Sequence, residues 1–313
     1  MDAERVESSR AALPMFDIVR TLDCAGRELR LDRPRIAGII NVTPDSFSGD
    51  GLASTEAAIV RGLIHADESA DMLDIGGEST RPGADPISAA EEIARVVPVI
   101  EALAKRTTLP ISIDTSKPEV MRAAVAAGAG MINDVYALRL DGALDAAAAL
   151  KVPVVLMHMQ GEPRTMQDDP HYDDVVSDVR RFLAERIFAC EMSGIDKKRI
   201  VADPGFGFGK TLAHNLALLR ALDQFAALGV PLLVGLSRKG MIGTLTGHDQ
   251  HADRVVGSAA AALLAAQKGA AIVRVHDVAA TRDALAVWAG VVAGIAPAKK
   301  AQKPFGSQRF EDD

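Results

Sequence analysis

Eight times along this chain a short apolar run breaks off into polar residues and is followed by a stretch with helical spacing. Ile36-Ala37-Gly38-Ile39-Ile40 runs into Asn41, and Met72-Leu73-Asp74-Ile75 into Gly76-Gly77-Glu78-Ser79-Thr80-Arg81-Pro82. Ile111-Ser112-Ile113 ends in Asp114, Gly130-Met131-Ile132 in Asn133-Asp134, and residues 152 to 157 in His158. Ile200-Val201-Ala202 ends in Asp203, residues 232 to 236 in Ser237-Arg238-Lys239, and Ala271-Ile272-Val273 in Arg274-Val275-His276-Asp277. Continuous rather than alternating apolar strands imply a parallel sheet covered by helices. Helices are expected at residues 59 to 64, 91 to 105, 118 to 127, 142 to 150, 172 to 192, 216 to 228, 259 to 266 and 279 to 292. Ser116 is a candidate cap for the third of them. Eight successive β/α units predict a single TIM-type (β/α) barrel better than an open doubly wound sheet.

No linker divides the pattern, so residues 34 to 295 form one expected domain. Residues 1 to 33 read as an extension, with a hairpin over 22 to 31 that turns at Ala25-Gly26 and caps one end. The tail, 296 to 313, is rich in Lys, Gln, Gly and Asp and is expected to be disordered. A net charge of -7 argues against a general nucleic-acid binder. Cys24 and Cys190 are too few for a disulfide framework and fit a reduced cytoplasmic setting. The first ten residues hold no apolar signal core, and the longest uncharged apolar run, 284 to 298, is too short to cross a bilayer.

All strands of such a barrel point their C-terminal ends at one rim, where active sites lie. Asp114, Asn133 and Asp203 could each cap a helix or build a turn, and His158 reads as a satisfied core histidine. Their convergence with Asn41, Asp74, Lys239, Arg274 and His276 on one rim reads instead as a polar ligand site. Lys239 stands just before a helix, where the dipole disfavours a cation, and so points to a ligand. Two decoys fail. The run from Gly205 to Thr211 has Pro204 where a phosphate-binding loop needs its first glycine, and it lacks dinucleotide-type glycine spacing. No zinc-type spacing occurs.

Taken in order, Ile39-Ile40-Asn41-Val42-Thr43-Pro44-Asp45-Ser46-Phe47-Ser48, residues 74 to 83, 113 to 118, Ile132-Asn133-Asp134, 156 to 161, 203 to 210, 235 to 239 and Arg274-Val275-His276-Asp277 resemble the dihydropteroate synthases. The resemblance implies transfer of a dihydropterin methyl group from its diphosphate to p-aminobenzoate, by a dissociative substitution in folate biosynthesis. It implies that Asp114, Asn133, Met157, Asp203, Lys239 and Arg274 hold the pterin. Asn41, Thr80, Arg81, Arg274 and His276 would take the diphosphate, with Asn41 reaching Mg²⁺. Phe47, Thr80, Pro82, Phe208, Lys239 and Gly240 would form the p-aminobenzoate pocket, which sulfonamides would share. Asn41, Asp74, Arg81, Lys239, Arg274 and His276 would carry the catalytic work, Asp74 by fixing the loop above it. With the apolar late helices, the resemblance also implies a homodimer. Three departures stand out. The first loop reads Ser48-Gly49-Asp50-Gly51 where Ser-Asp-Gly-Gly is usual, Gly240 stands where Ser is frequent, and the approach Glu68-Ser69-Ala70-Asp71 lacks the glycine often found there.

Overall fold

The structure, a computed structural model, describes residues 21–43, 54–80 and 85–294. The chain enters through an antiparallel hairpin, β1 (Thr21–Cys24) and β2 (Arg27–Arg30). The turn falls at Ala25 and Gly26, both with positive φ (55° and 84°), the two-residue connection whose twist suits a hairpin. Arg27 then clamps the hairpin to the barrel, donating to the carbonyls of Leu109 at 2.6 Å and Ala104 at 2.7 Å.

Eight parallel strands follow: β3 (Arg35–Asn41), β4 (Met72–Gly76), β5 (Ile111–Asp114), β6 (Met131–Asp134), β7 (Val154–Met157), β8 (Ile200–Asp203), β9 (Leu233–Val234) and β10 (Ile272–Val275). They pair in the order β8-β7-β6-β5-β4-β3-β10-β9. A parallel bridge between Ala202 and Leu232 brings the two ends of the sheet together. The Ala202 amide donates to the Pro231 carbonyl at 2.9 Å across that seam. The result is the expected TIM-type barrel with a hairpin at its N-terminal side. Around it run α1 (Thr55–Asp67), α2 (Ala89–Arg106), α3 (Pro118–Ala127), α4 (Ala143–Leu150), α5 (Val175–Met192), α6 (Leu212–Arg220), α7 (Gly240–Thr246), α8 (Val255–Gln267) and α9 (Val278–Ala293).

Successive strand residues point to opposite faces, and the core divides accordingly. Leu73, Ile75, Ile132, Val154, Leu156, Ile200, Ala202 and Val273 face the helices in the larger apolar cluster. Met72, Met131, Val155, Val201, Leu233 and Ile272 belong to a second cluster, which they share with Leu22, Cys24 and Leu29 of the hairpin. They fill the barrel interior, and the hairpin stops its N-terminal mouth. Two residues further along the same strands, on the same inward face, stand Asp74, Asn133, Met157, Asp203 and Arg274. A one-residue slip in β4, β8 or β10 would exchange an inward charge for an apolar residue, so the pattern pins the register.

Several elements differ from the sequence reading. Ser116 does not cap α3; its hydroxyl donates to Asp134, and Lys117 occupies the cap position with no side-chain capping bond. The helix expected from residue 172 starts at Val175, because Asp174 accepts from the amides of Val176 (2.9 Å) and Ser177 (3.0 Å). The stretch expected as one helix over 216 to 228 starts earlier, after a Thr211 capping box, and changes to a 3-10 turn over Leu222–Leu228. The strand expected over 232 to 236 is two residues long. Helix α7 had no sequence signal, since GMIGTLT holds two glycines and two threonines and has weak helix propensity. Burial of Met241, Ile242 and Gly243 holds it.

Candidate active site

At the C-terminal rim, two carboxylates share one cation. Arg274, from β10, donates through Nε to Asp74 Oδ2 at 2.5 Å and through Nη2 to Asp114 Oδ2 at 2.7 Å. Asn133 Nδ2 donates to the same Asp74 oxygen at 3.3 Å. The cluster thus joins β4, β5, β6 and β10 across the barrel mouth, and none of its members caps a helix. Two carboxylates lock the guanidinium in its charged form: burial opposes the charge, but Asp74 and Asp114 push the Arg274 pKa above its ordinary value. Asp114 responds the other way. Burial pushes its pKa up to about 7, with Arg274 only partly opposing. Asp74 faces Arg274 and Asn133, whereas the described base of the loop above it is held elsewhere. Glu78 takes an ion pair from Lys117 at 2.8 Å and the Ile87 amide at 2.9 Å, and Arg95 donates to the Gly77 carbonyl at 2.9 Å.

The opposite wall is built by β8 and the turn after it. Asp203 Oδ1 accepts the Gly205 amide at 2.7 Å, and burial raises its pKa against the pull of Lys239. Gly205, Gly207 and Gly209 all have positive φ, and side chains at two of them would collide with backbone: a Cβ on Gly205 would lie 1.8 Å from the His158 carbonyl oxygen. The turn presents Phe208, whose ring centroid lies 4.7 Å from Lys239 Nζ, and the Phe206 carbonyl, which accepts from the same ammonium. Burial lowers the Lys239 pKa to about 8, with Asp203 opposing. Met157 packs with Val135, Met159 and Met166, and with Tyr136 and Phe208 beside them, as a small apolar cluster. Val135 and Met159 follow Asn133 and Met157 by two residues, which is the signal that would have found them.

Above this floor opens a cavity of about 710 Å³, lined among others by Asn41, Thr80, Asp114, Phe208, Lys239, Gly240, Arg274 and His276. Asp74, Asn133, Met157 and Asp203 are not among the residues that line it. His276 is oriented by Ser237, a residue the sequence reading left aside: Ser237 Oγ accepts the His276 amide at 3.1 Å and lies 3.0 Å from Nδ1. A Cβ on Gly240 would meet nothing within 4 Å, so no crowding demands glycine there. Phe47, Arg81, Pro82 and Asp50 lie outside the described residues. His158 is the core histidine expected of it. It packs edge-on against Phe182 at 4.9 Å, and burial pushes its pKa down to about 2.

A (β/α) barrel with carboxylates, an amide and two cations at its rim is the setting of a polar ligand site, and the family model described as "Pterin binding enzyme" matches residues 37–276, which sets the class as a pterin-binding barrel enzyme. The dihydropteroate synthase of Haemophilus influenzae is 52% identical over 262 residues, spanning 83% of this chain and 94% of its own length. The Xanthomonas albilineans dihydropteroate synthase solved with 4-aminobenzoic acid is 64% identical and superposes with a TM-score of 0.83, covering 88% of this chain and 98% of that one. The same enzyme in complex with 7,8-dihydropteroate gives 60% identity and a TM-score of 0.79, covering 88% and 99%. The chain belongs to the dihydropteroate synthase family. It is a transferase that joins a dihydropterin methyl diphosphate to p-aminobenzoate, releasing pyrophosphate and giving 7,8-dihydropteroate.

Proposed function

We propose that the rim divides into a ring side and a diphosphate side that meet at Arg274. The observation that carries this is the bridge from Arg274 to Asp74 and Asp114, which ties the cation to Asp114, one of the carboxylates assigned to the ring. On the ring side, Asp114 and Asp203 accept from the amino and ring N–H donors of the pterin, and Asn133 and Lys239 complete the match. The apolar cluster around Met157 supports the flat ring. On the other side, Asn41, Thr80 and His276 face the diphosphate with Arg81 and the outer edge of Arg274. Phe47, Pro82, Phe208, Lys239 and Gly240 receive the p-aminobenzoate.

The chemistry this arrangement serves is dissociative. The methylene C–O bond breaks with both electrons leaving on pyrophosphate, and the pterin ring delocalises the resulting cation. The arylamine lone pair then forms the C–N bond, and the amine gives up one proton. The chain's own part is to orient the ring, face the departing charge with fixed cations and exclude water, so it supplies positioning and electrostatics rather than a nucleophile. Among the described residues no group of three His, Cys, Asp or Glu could cage a metal. Asn41 offers a single neutral amide oxygen, which fits a Mg²⁺ that keeps its waters and arrives on the diphosphate. When bound, Mg²⁺ neutralises the leaving group. Exposed Val256, Leu264, Val287 and Val291 on α8 and α9 support a homodimer, and the two buried free cysteines support a reduced cytoplasmic setting.

The division is tested by two calorimetric titrations on each of two variants, with Mg²⁺ at one ionic strength. Arg274→Ala should lose about a hundredfold in affinity for a pterin carrying a diphosphate but about tenfold for the bare pterin. Asp114→Ala should weaken both alike. Equal losses for Arg274→Ala would remove the diphosphate role from that residue.

A further inference from the structure

Lys210 is buried at 3% exposure beside the cavity, yet nothing in the transfer reaction calls on it. Its ammonium points away from solvent into a basket of acceptors. Nζ lies 2.9 Å from the Gly205 carbonyl, 2.9 Å from the Phe208 carbonyl and 2.9 Å from His158 Nδ1. Three acceptors at that distance use all three hydrogens of an ammonium. Burial holds the His158 imidazole neutral, so its Nδ1 can act as the third acceptor. The two carbonyls belong to the two ends of the glycine turn that also supplies the Phe206 carbonyl and Phe208 ring to Lys239. Asn215 closes the same turn from α6, accepting the Gly207 amide at 2.8 Å and donating to the Lys210 carbonyl at 3.2 Å.

We propose that Lys210, seated on His158, is a positioning residue: it gathers the Gly205–Phe208 turn so that Lys239 and Phe208 stand where the pterin needs them. A turn with three left-handed glycines is the most freely moving kind of backbone, and ordering it has a large entropic cost. One buried ammonium holding both ends meets that cost before substrate arrives. Burial pushes the Lys210 pKa well below its ordinary value, and the nearby Asp203 carboxylate opposes that shift.

The inference rests on the proposed pterin role of Lys239, and a double-mutant cycle separates the two. Affinity for unphosphorylated pterin and the thermal midpoint are measured for Lys210→Met, Lys239→Met and the double variant. Lys239→Met alone should weaken pterin binding; no change there would overturn the reading of the site itself. Lys210→Met should weaken pterin binding by roughly tenfold in protein that still melts cooperatively. Its effect should shrink at least threefold when Lys239 is already gone, because there is then nothing left to position. Additive losses, or a lowered midpoint with unchanged pterin affinity, would reduce Lys210 to a stabilising residue and overturn the proposal. Should Lys210→Met not fold, His158→Phe takes its place in the cycle. That change keeps the ring against Phe182 and removes only the third acceptor, and it should show the same coupling on a smaller scale.

Discussion

The two ends of the barrel are made by the same strands and do opposite things. At the N-terminal mouth Met72, Met131, Val155, Val201 and Ile272 meet the hairpin in a dry apolar layer. Two residues onward, Asp74, Asn133 and Asp203 put charge and amide into a buried place, with Arg274 part-buried above them. The first arrangement stabilises, since each such side chain contributes roughly 1.5–3 kcal/mol on burial. The second opposes folding, because buried carboxylates and cations recover their hydration only through one another. Functional groups at one end are tolerated because the other end, and the helix-facing layer, hold the fold.

The comparison can be broken most severely by moving rim chemistry to the mouth. Val155→Asp places an unpaired carboxylate in the apolar layer, with a cost of roughly 4–5 kcal/mol or more, and soluble folded protein should be lost on expression. Next in size, Gly130→Ala would put a Cβ 2.2 Å from the Cys24 carbonyl oxygen and prise the hairpin away. It should lower unfolding stability by roughly 1–3 kcal/mol in a denaturant titration, while kcat and KM of the folded enzyme stay within about twofold. Asp203→Asn should do the reverse. Pterin affinity falls about 10–100-fold by calorimetry, and the thermal midpoint falls by less than in Gly130→Ala, because Asn keeps an oxygen for the Gly205 amide although Lys239 loses its opposing carboxylate. An Asp203→Asn variant that melted early while binding normally would contradict the division.

The smallest effect concerns pH. The folded Asp114 carboxyl, raised to about 7, holds its proton more tightly than in the unfolded chain. Between about pH 4 and 7 the folded state therefore binds more protons, and this group's contribution to stability declines as pH rises through that window. Asp114→Asn removes the contribution. The wild-type midpoint should lose ground to the variant from pH 4.5 to 7.5, and parallel curves would show that Asp114 is already ionised at the bottom of the range.

Much of this was legible in the sequence, because each barrel strand writes its role in two positions. Apolar residues bounded by one polar side chain give both a strand and its mouth, and the hairpin turn announces itself through Gly26, which takes positive φ freely where Ala25 does so only at some strain. What escaped depends on contacts far apart in the chain. Helix α7 exists because its buried face is covered, not because its residues favour helix. The hydroxyl of Ser116 found a buried carboxylate from the next strand in place of the local amide it could have capped. Lys210 ends a glycine run like a solvated residue, and only folding shows that its ammonium is enclosed. Nor could spacing tell that Asp74 answers to Arg274, 200 positions away.

The strands do not hold one another equally. From β4 to β8 each is paired on both sides over three to five registered positions, with only the outer side of β8 left to the seam. Two-residue β9 pairs with β10 at two positions and meets β8 at a single bridge. The barrel is therefore a stiff arc closed by a soft hinge, and the site straddles them. The anionic and amide groups stand on the stiff arc, while Lys239 follows the soft strand and its helix. Amide hydrogen exchange should be fastest around the seam, near Leu232 and Leu233, and slowest at Ile75 and Ile113. The walls that read the ring thus lie where pairing is densest, and the cation that completes them follows the strand with the fewest pairings, so its place depends on side-chain contacts across the seam more than on the ladder beneath it.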